Sequence, residues 1–234
     1  YSTNTFPTWP LAQPFRLLAH NGEINTRRGN VNWMAAREAE LQADFWGDDI
    51  ELLKPIIQPG GSDSAELDNA LEVLLMSGRN LLHAMTMLVP PAWRADKTVS
   101  REVHYFHEYH RAFNEPWDGP AALVFTDGQT VGACLDRNGL RPARYKLTAN
   151  GIFSLGSEVG TVELDDEEVI EKGRLAPGEM IAIDTVRGVL LRDNEIKEQL
   201  ASAKPYEEWV TQNLKYLRDL VKTPLQEPEG EIGR

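Results

Sequence analysis

The sequence is short of cysteine, of positive charge and of long apolar runs, and each shortage removes a class of proteins. Cys134 is the only cysteine, so no internal disulfide can form, and a reduced, cytoplasmic setting is expected. Twenty-four Lys and Arg face 36 Asp and Glu, for a net charge of −12 and a pI near 4.9. Nucleic acid and anionic membranes attract basic surfaces, so neither is expected as a partner. No run approaches the ~18 apolar residues of a membrane span. Tyr1-Ser2-Thr3-Asn4-Thr5 has neither the basic start nor the apolar stretch of a signal peptide. An initiator methionine is also missing, as expected of a piece of a longer polypeptide.

What remains suffices for a buried core: 234 residues, 41% of them hydrophobic. Pro7, Pro10 and Pro14 forbid a regular helix near the start, which reads as a shaped loop. Leu17 to His20 reads as a buried strand running into a turn at Asn21-Gly22. Composition predicts a helix over 32–46. A second follows the capping residues Ser62-Asp63-Ser64, with Leu67, Leu71, Leu74 and Leu75 at helical spacing. Further helices are expected over 79–88 and 99–113. The chain then turns β-prone, with strands expected at 121–125, 130–135, 144–147 and 152–155. Asp127-Gly128, Asn138-Gly139 and Asn150-Gly151 are hairpin signals between them, which together read as one antiparallel meander. A hairpin over 180–184 and 189–191 and helices over 195–203 and 206–221 complete an α+β domain spanning 1–222, with 223–234 as a linker.

Four places could carry chemistry. In His20-Asn21-Gly22 an Asn amide beside a glycine N–H offers two donors for one oxyanion, although Asn-Gly is equally a favoured turn. Asp63 at a helix start would remain ionised beside the helix dipole and suit an ammonium group, unless it merely caps. His104, His107 and His110 share one helix, but His107-Glu108-Tyr109-His110 is one residue short of the metalloprotease pattern, and no metal is expected. Cys134 lies within a strand with no nearby His in sequence, and reads as structural. Gly60-Gly61-Ser62 matches neither phosphate-loop pattern.

The order Tyr1-Ser2-Thr3, His20-Asn21-Gly22 and Ser62-Asp63-Ser64-Ala65-Glu66 resembles the class II glutamine amidotransferases, which are N-terminal-nucleophile hydrolases. Within them the chain is most similar to glutamate synthase large subunits, through 3–28 (TNTFPTWPLAQPFRLLAHNGEINTRR), 117–122, 136–145 (DRNGLRPARY) and 175–184. The resemblance implies a four-layer αββα sandwich and hydrolysis of L-glutamine by an N-terminal cysteine whose own amine is the base. It implies Asn21 and the Gly22 N–H as the oxyanion hole, Asp63 on the substrate α-amino group, Thr3 on the α-carboxylate, and 1–15 as a closing glutamine loop. The nucleophilic cysteine and a carboxylate-binding arginine would lie upstream of Tyr1, so these residues alone are expected to be inactive. The missing upstream segment is expected to hold a core strand, leaving a sheet edge unpaired. FMN, an iron–sulfur cluster, 2-oxoglutarate and a small NADPH-oxidising subunit are implied for the rest of the polypeptide. Another class II amidotransferase and a non-catalytic glutamine-binding module are the rival readings.

Overall fold

The computed structural model describes residues 8–42, 46–94 and 96–220. Thr3, most of the expected glutamine loop and the expected linker at 223–234 lie outside the described residues. In chain order the elements are β1 (Leu18–Gly22), α1 (Arg27–Arg37), α2 (Asp63–Met76), α3 (Leu81–Leu88) and α4 (Arg101–His110), followed by β2 (Ala121–Thr126), β3 (Thr130–Leu135), β4 (Arg144–Thr148), β5 (Phe153–Gly156), β6 (Val169–Arg174), β7 (Met180–Asp184) and β8 (Val189–Leu191). α5 (Asp193–Ser202), α6 (Tyr206–Asn213) and α7 (Leu217–Leu220) close the described chain.

The helix starts follow local chemistry. Ser62, Asn80 and Ser100 each accept a backbone N–H of the first turn of α2, α3 and α4, a cap contributing about 1 kcal/mol. Leu67, Ala70 and Leu71 of α2 and Leu81, Ala84, Met85 and Leu88 of α3 are buried together against Leu18, Leu123 and Phe125 of the strands. That contact, rather than helix propensity, is what holds these short helices.

The strands form two antiparallel sheets. Five run in the order β1-β2-β3-β7-β8 and three in the order β5-β4-β6. Alternation along the larger sheet gives each face its own core. Leu18, Leu123, Phe125, Cys134, Met180 and Ala182 face the helices. Ala133, Leu135 and Ile181 on the other face meet Tyr145, Phe153 and Leu155 of the smaller sheet. The architecture is thus α+β, with a helical layer, a five-stranded layer and a three-stranded layer. A fourth, outer helical layer is not formed by the described residues.

Four expectations need correction. β1 runs through Asn21 and Gly22 and pairs them with Ala122 and Ala121, so this Asn-Gly is strand, not turn. The first helix begins at Arg27 and ends at Arg37 rather than covering 32–46, because Thr26 and Asn30 are tied to the backbone of Pro116 and Asp118 and start it early. Asn138-Gly139 is no hairpin. It carries the chain from the larger sheet to the smaller around buried Asp136, whose carboxylate accepts from the N–H groups of Ala121, Asn138 and Leu140. The single meander is therefore two sheets, and β6, which no turn signal announced, supplies the third strand of the second. Finally, the helix expected over 206–221 ends at Asn213 and resumes at Leu217.

Candidate active site

β1 is an edge strand, and the site grows from how that edge is used. Thr126 N–H donates to Leu17 O and Glu23 N–H to Pro120 O. The ladder alternation then turns the backbone groups of Leu18, His20 and Gly22 away from β2. Leu18 N–H donates to Asp68 Oδ1 (3.0 Å) and His20 N–H to Gln13 Oε1 (2.6 Å). The third outward N–H, that of Gly22, has no acceptor among the described residues.

Glycine is required there by space and by backbone. Its φ is +155°, and a Cβ would sit 1.7 Å from Pro120 O and 2.8 Å from His20 Nε2. Gly119 mirrors it from the opposing segment, where a Cβ would lie 2.0 Å from Glu23 O. The two glycines let 22–25 and 118–120 run backbone against backbone.

The strand's side chains alternate. Leu18 and His20 are buried on the helical side, while Ala19 and Asn21 line a cavity of about 230 Å³ on the other, with Gln13, Ala122, Pro142, Gly156 and Ser157. The Asn21 side chain is exposed and no described group engages its amide. Neither its donors nor the neighbouring Gly22 N–H is taken up by a described group.

α2 clamps this edge with its first turns. Asp63 Oδ2 accepts from Ile24 N–H at 2.8 Å, and Oδ1 accepts from Ser64 N–H at 2.8 Å. The cap itself is Ser62, so the Asp63 carboxylate is spent on the strand exit just past Gly22 rather than on capping. His20 Nδ1 lies 2.9 Å from Ser64 Oγ and 3.8 Å from Asp63 Oδ2. Burial holds His20 below the ordinary imidazole range, against the opposing pull of the Asp63 charge, with Arg141 adding a smaller push downward. His20 thus serves as a neutral strut between strand and helix.

The structure brings Asn21, Gly22 and Asp63 to one corner, and it keeps the histidines of α4 away from it. His107 stacks on Trp93 at 5.7 Å, and burial pushes it down to about 3. His110 Nε2 meets His83 Nε2 at 2.7 Å, and burial pushes both down to about 4. His104 sets its edge against Trp93. Among the described residues no group of three or more His, Cys, Asp or Glu is arranged to hold a metal ion. Cys134 is buried in β3, and burial pushes its thiol up to about 12, which suppresses the thiolate a nucleophile needs.

Sequence reasoning passed over Gln13, Asp68 and Arg141. Asp68 had a readable signal: it sits four residues after Ser64, among Leu67 and Leu71, a carboxylate on the buried face of a helix. It accepts from both Leu17 N–H and Leu18 N–H. Gln13 had no such signal, since only the tertiary path brings its amide to the strand edge.

Comparison with known proteins places this corner in context. A family model described as glutamine amidotransferases class-II matches residues 1–209. The glutamate synthase [NADPH] large chain of Azospirillum brasilense is 53% identical over 223 residues, covering 95% of this chain and 15% of that protein. The ferredoxin-dependent glutamate synthase 2 of Synechocystis sp. is 53% identical over 90% of this chain and 14% of its own length. The glutamate synthase [NADPH] large chain of Bacillus subtilis is 49% identical over 92% and 14%. The chain therefore spans about 15% of the length of these relatives. Since the family match runs from the first residue into α6, through both sheets and the helices around the β1 edge, this chain belongs to the class-II glutamine amidotransferases.

Proposed function

We propose that this chain is the greater part of the glutamine-hydrolysing domain of a glutamate synthase, releasing ammonia from L-glutamine for reductive amination of 2-oxoglutarate elsewhere in the same polypeptide. The observation that carries the reading is the open pair of donors at the β1 edge, the Gly22 N–H and the Asn21 amide, beside a carboxylate fixed at Asp63. Two preorganised donors suit the oxyanion that forms when a nucleophile attacks the side-chain amide of glutamine. Asp63 suits the α-ammonium of the same substrate. Thr3 is assigned to its α-carboxylate, and 223–234 to a connection with the next domain.

The attacking cysteine is supplied from outside these 234 residues, as the mature amino terminus of the polypeptide. Cys134 is no substitute, buried in β3 with its thiol held protonated. Purified alone, the chain is expected to release no ammonia from glutamine. FMN and an iron–sulfur cluster would be carried by the remainder of the polypeptide, and a small NADPH-oxidising subunit is one possible electron source. The chemistry of this chain uses none of them.

The test is ammonia release from L-glutamine by the full-length gene product with its processed amino terminus, with and without 2-oxoglutarate and reductant. Hydrolysis that rises with 2-oxoglutarate and yields glutamate supports the synthase reading. Hydrolysis indifferent to 2-oxoglutarate points to another amidotransferase, and none from folded, processed protein points to a non-catalytic module.

A further inference from the structure

Arg141 differs from the other arginines of the protein. Of the half-buried ones, Arg37 reaches the Glu115 carboxylate and Arg79 the Ser77 hydroxyl. Arg28, Arg144, Arg174 and Arg187, which have no side-chain acceptor among the described residues, are all exposed to water. Arg141 is half-buried, its Nε is sealed from solvent, and no described group accepts a hydrogen bond from it. A guanidinium cannot shed its charge, and a buried donor without a partner is unfavourable. In a chain with 36 acidic residues, the lack of a carboxylate partner calls for a reason.

Its position supplies one. Arg141 lies on the connection from β3 to β4, which buried Asp136 pins beside Ala121, the strand partner of Gly22. The next two residues, Pro142 and Ala143, line the same cavity as Asn21. The guanidinium charge bears on the His20 ring, and His20 Nε2 in turn lies 2.8 Å from where a Cβ on Gly22 would stand. The Arg141 charge, unpaired among the described residues, therefore bears on the neighbourhood of His20 and Gly22, opposite in sign to the stronger Asp63 charge.

We infer that Arg141 is a positioning residue for amide hydrolysis, its charge favouring the negative charge that develops at the Gly22 edge in the transition state. The inference rests on the proposed function. In that reaction the thiolate sulfur bonds to the amide carbon, and the carbonyl π pair moves onto oxygen to give the tetrahedral oxyanion. Collapse of the oxyanion restores the carbonyl and breaks the C–N bond, and ammonia leaves after taking up the proton given up by the thiol. Asn21 and the Gly22 N–H would touch that oxygen. Arg141 acts on it through the local field, which in a partly water-excluded site outweighs the same charge in water.

The experiment uses the full-length gene product carrying Arg141→Gln or Arg141→Lys, assayed for glutaminase kcat and KM and for inhibition by glutamate γ-semialdehyde, whose aldehyde forms a tetrahedral adduct with a thiol. Arg141→Gln is expected to lower kcat roughly 10- to 100-fold and to weaken the aldehyde by a similar factor, with KM for glutamine within about threefold. Arg141→Lys, which keeps the charge, is expected to retain at least about a third of kcat. A rise in KM at unchanged kcat would overturn the inference, as would unaltered aldehyde inhibition. If Arg141→Gln does not fold, a folded Arg141→Lys protein with kcat lost more than about tenfold overturns it as well. Wild-type protein that hydrolyses no glutamine would instead sink the proposed function on which the inference stands.

Discussion

Two corners of this molecule gather polar side chains, and the structure treats them in opposite ways. At the α2–β1 corner, polar groups are fixed by the backbone yet leave donors unused. Asp63 is held by Ile24 N–H and Ser64 N–H, while Asn21 lines a cavity and neither its amide nor the Gly22 N–H has a partner among the described residues. On the α4 face the histidines pack against one another and against aromatic rings, with His107 Nε2 buried and without a hydrogen-bond partner among the described residues. His83 and His110 satisfy each other, His110 also meets Phe106 O, and His107 lies flat on Trp93. A binding site needs partners held in reserve, whereas a packed core consumes them. The histidines, three of them on one helix, pack as structure, and the less conspicuous Asn-Gly is the proposed site.

The comparison can be broken most directly at Gly22. Gly22→Ala would drive a methyl into Pro120 O, and the full-length enzyme is expected to lose glutaminase activity beyond detection. An active Gly22→Ala enzyme would show that this edge is not where glutamine reacts. Asp63→Asn removes the charge and, with a single amide oxygen, keeps an acceptor for only one of the Ile24 and Ser64 N–H groups. It should raise KM for glutamine roughly 10- to 100-fold, on the usual worth of a charged hydrogen bond, and lower the melting temperature modestly through the N–H left without its acceptor. An unchanged KM would detach Asp63 from the substrate ammonium.

Smaller effects sharpen the structural half. Asp68→Ala strands the N–H groups of Leu17 and Leu18 and is expected to cost about 2–4 kcal/mol in denaturant unfolding. A loss under about 0.5 kcal/mol would mean that water replaces the carboxylate.

The α4 face makes its own demand on pH. His83, His107 and His110 are depressed in the folded state to about 4, 3 and 4, against ~6.5 when unfolded. The unfolded chain therefore takes up protons first. The stability that neutral histidines confer is complete above about pH 6.5 and is lost as pH falls toward 4, at up to ~1.4 kcal/mol per pH unit for each proton taken up. Melting curves from pH 7 to 5 should show the loss, and replacing His83 and His110 by Phe should flatten it. An unchanged slope in that double variant would place the titrating groups elsewhere.

Much of this was legible in the chain itself. β3, β7 and β8 lie where β-prone runs and their flanking turn residues put them, and α2 starts where the Ser-Asp-Ser run placed it, because those signals are local. The turn at Asn21-Gly22 misled because a dipeptide preference cannot register that Pro120 lies alongside and completes a strand. Asn138-Gly139 misled similarly, since the chain there turns around a carboxylate buried by distant residues. For the proposed site, Asn21, Gly22 and Asp63 were named by the family resemblance, the residues alone reading as a turn and a cap. Asp68 could have been read from helical periodicity, whereas Gln13 and Arg141 act on His20 through an edge and a connection that only the fold brings to it.

The most direct measurement is the glutaminase kcat of Asn21→Ala in the full-length gene product with its mature amino terminus. If the open donors at the β1 edge form the oxyanion hole, kcat should fall roughly 10²- to 10³-fold with KM within about threefold. A variant that folds and turns over glutamine within about twofold of wild type would contradict the assignment of glutamine hydrolysis to this edge.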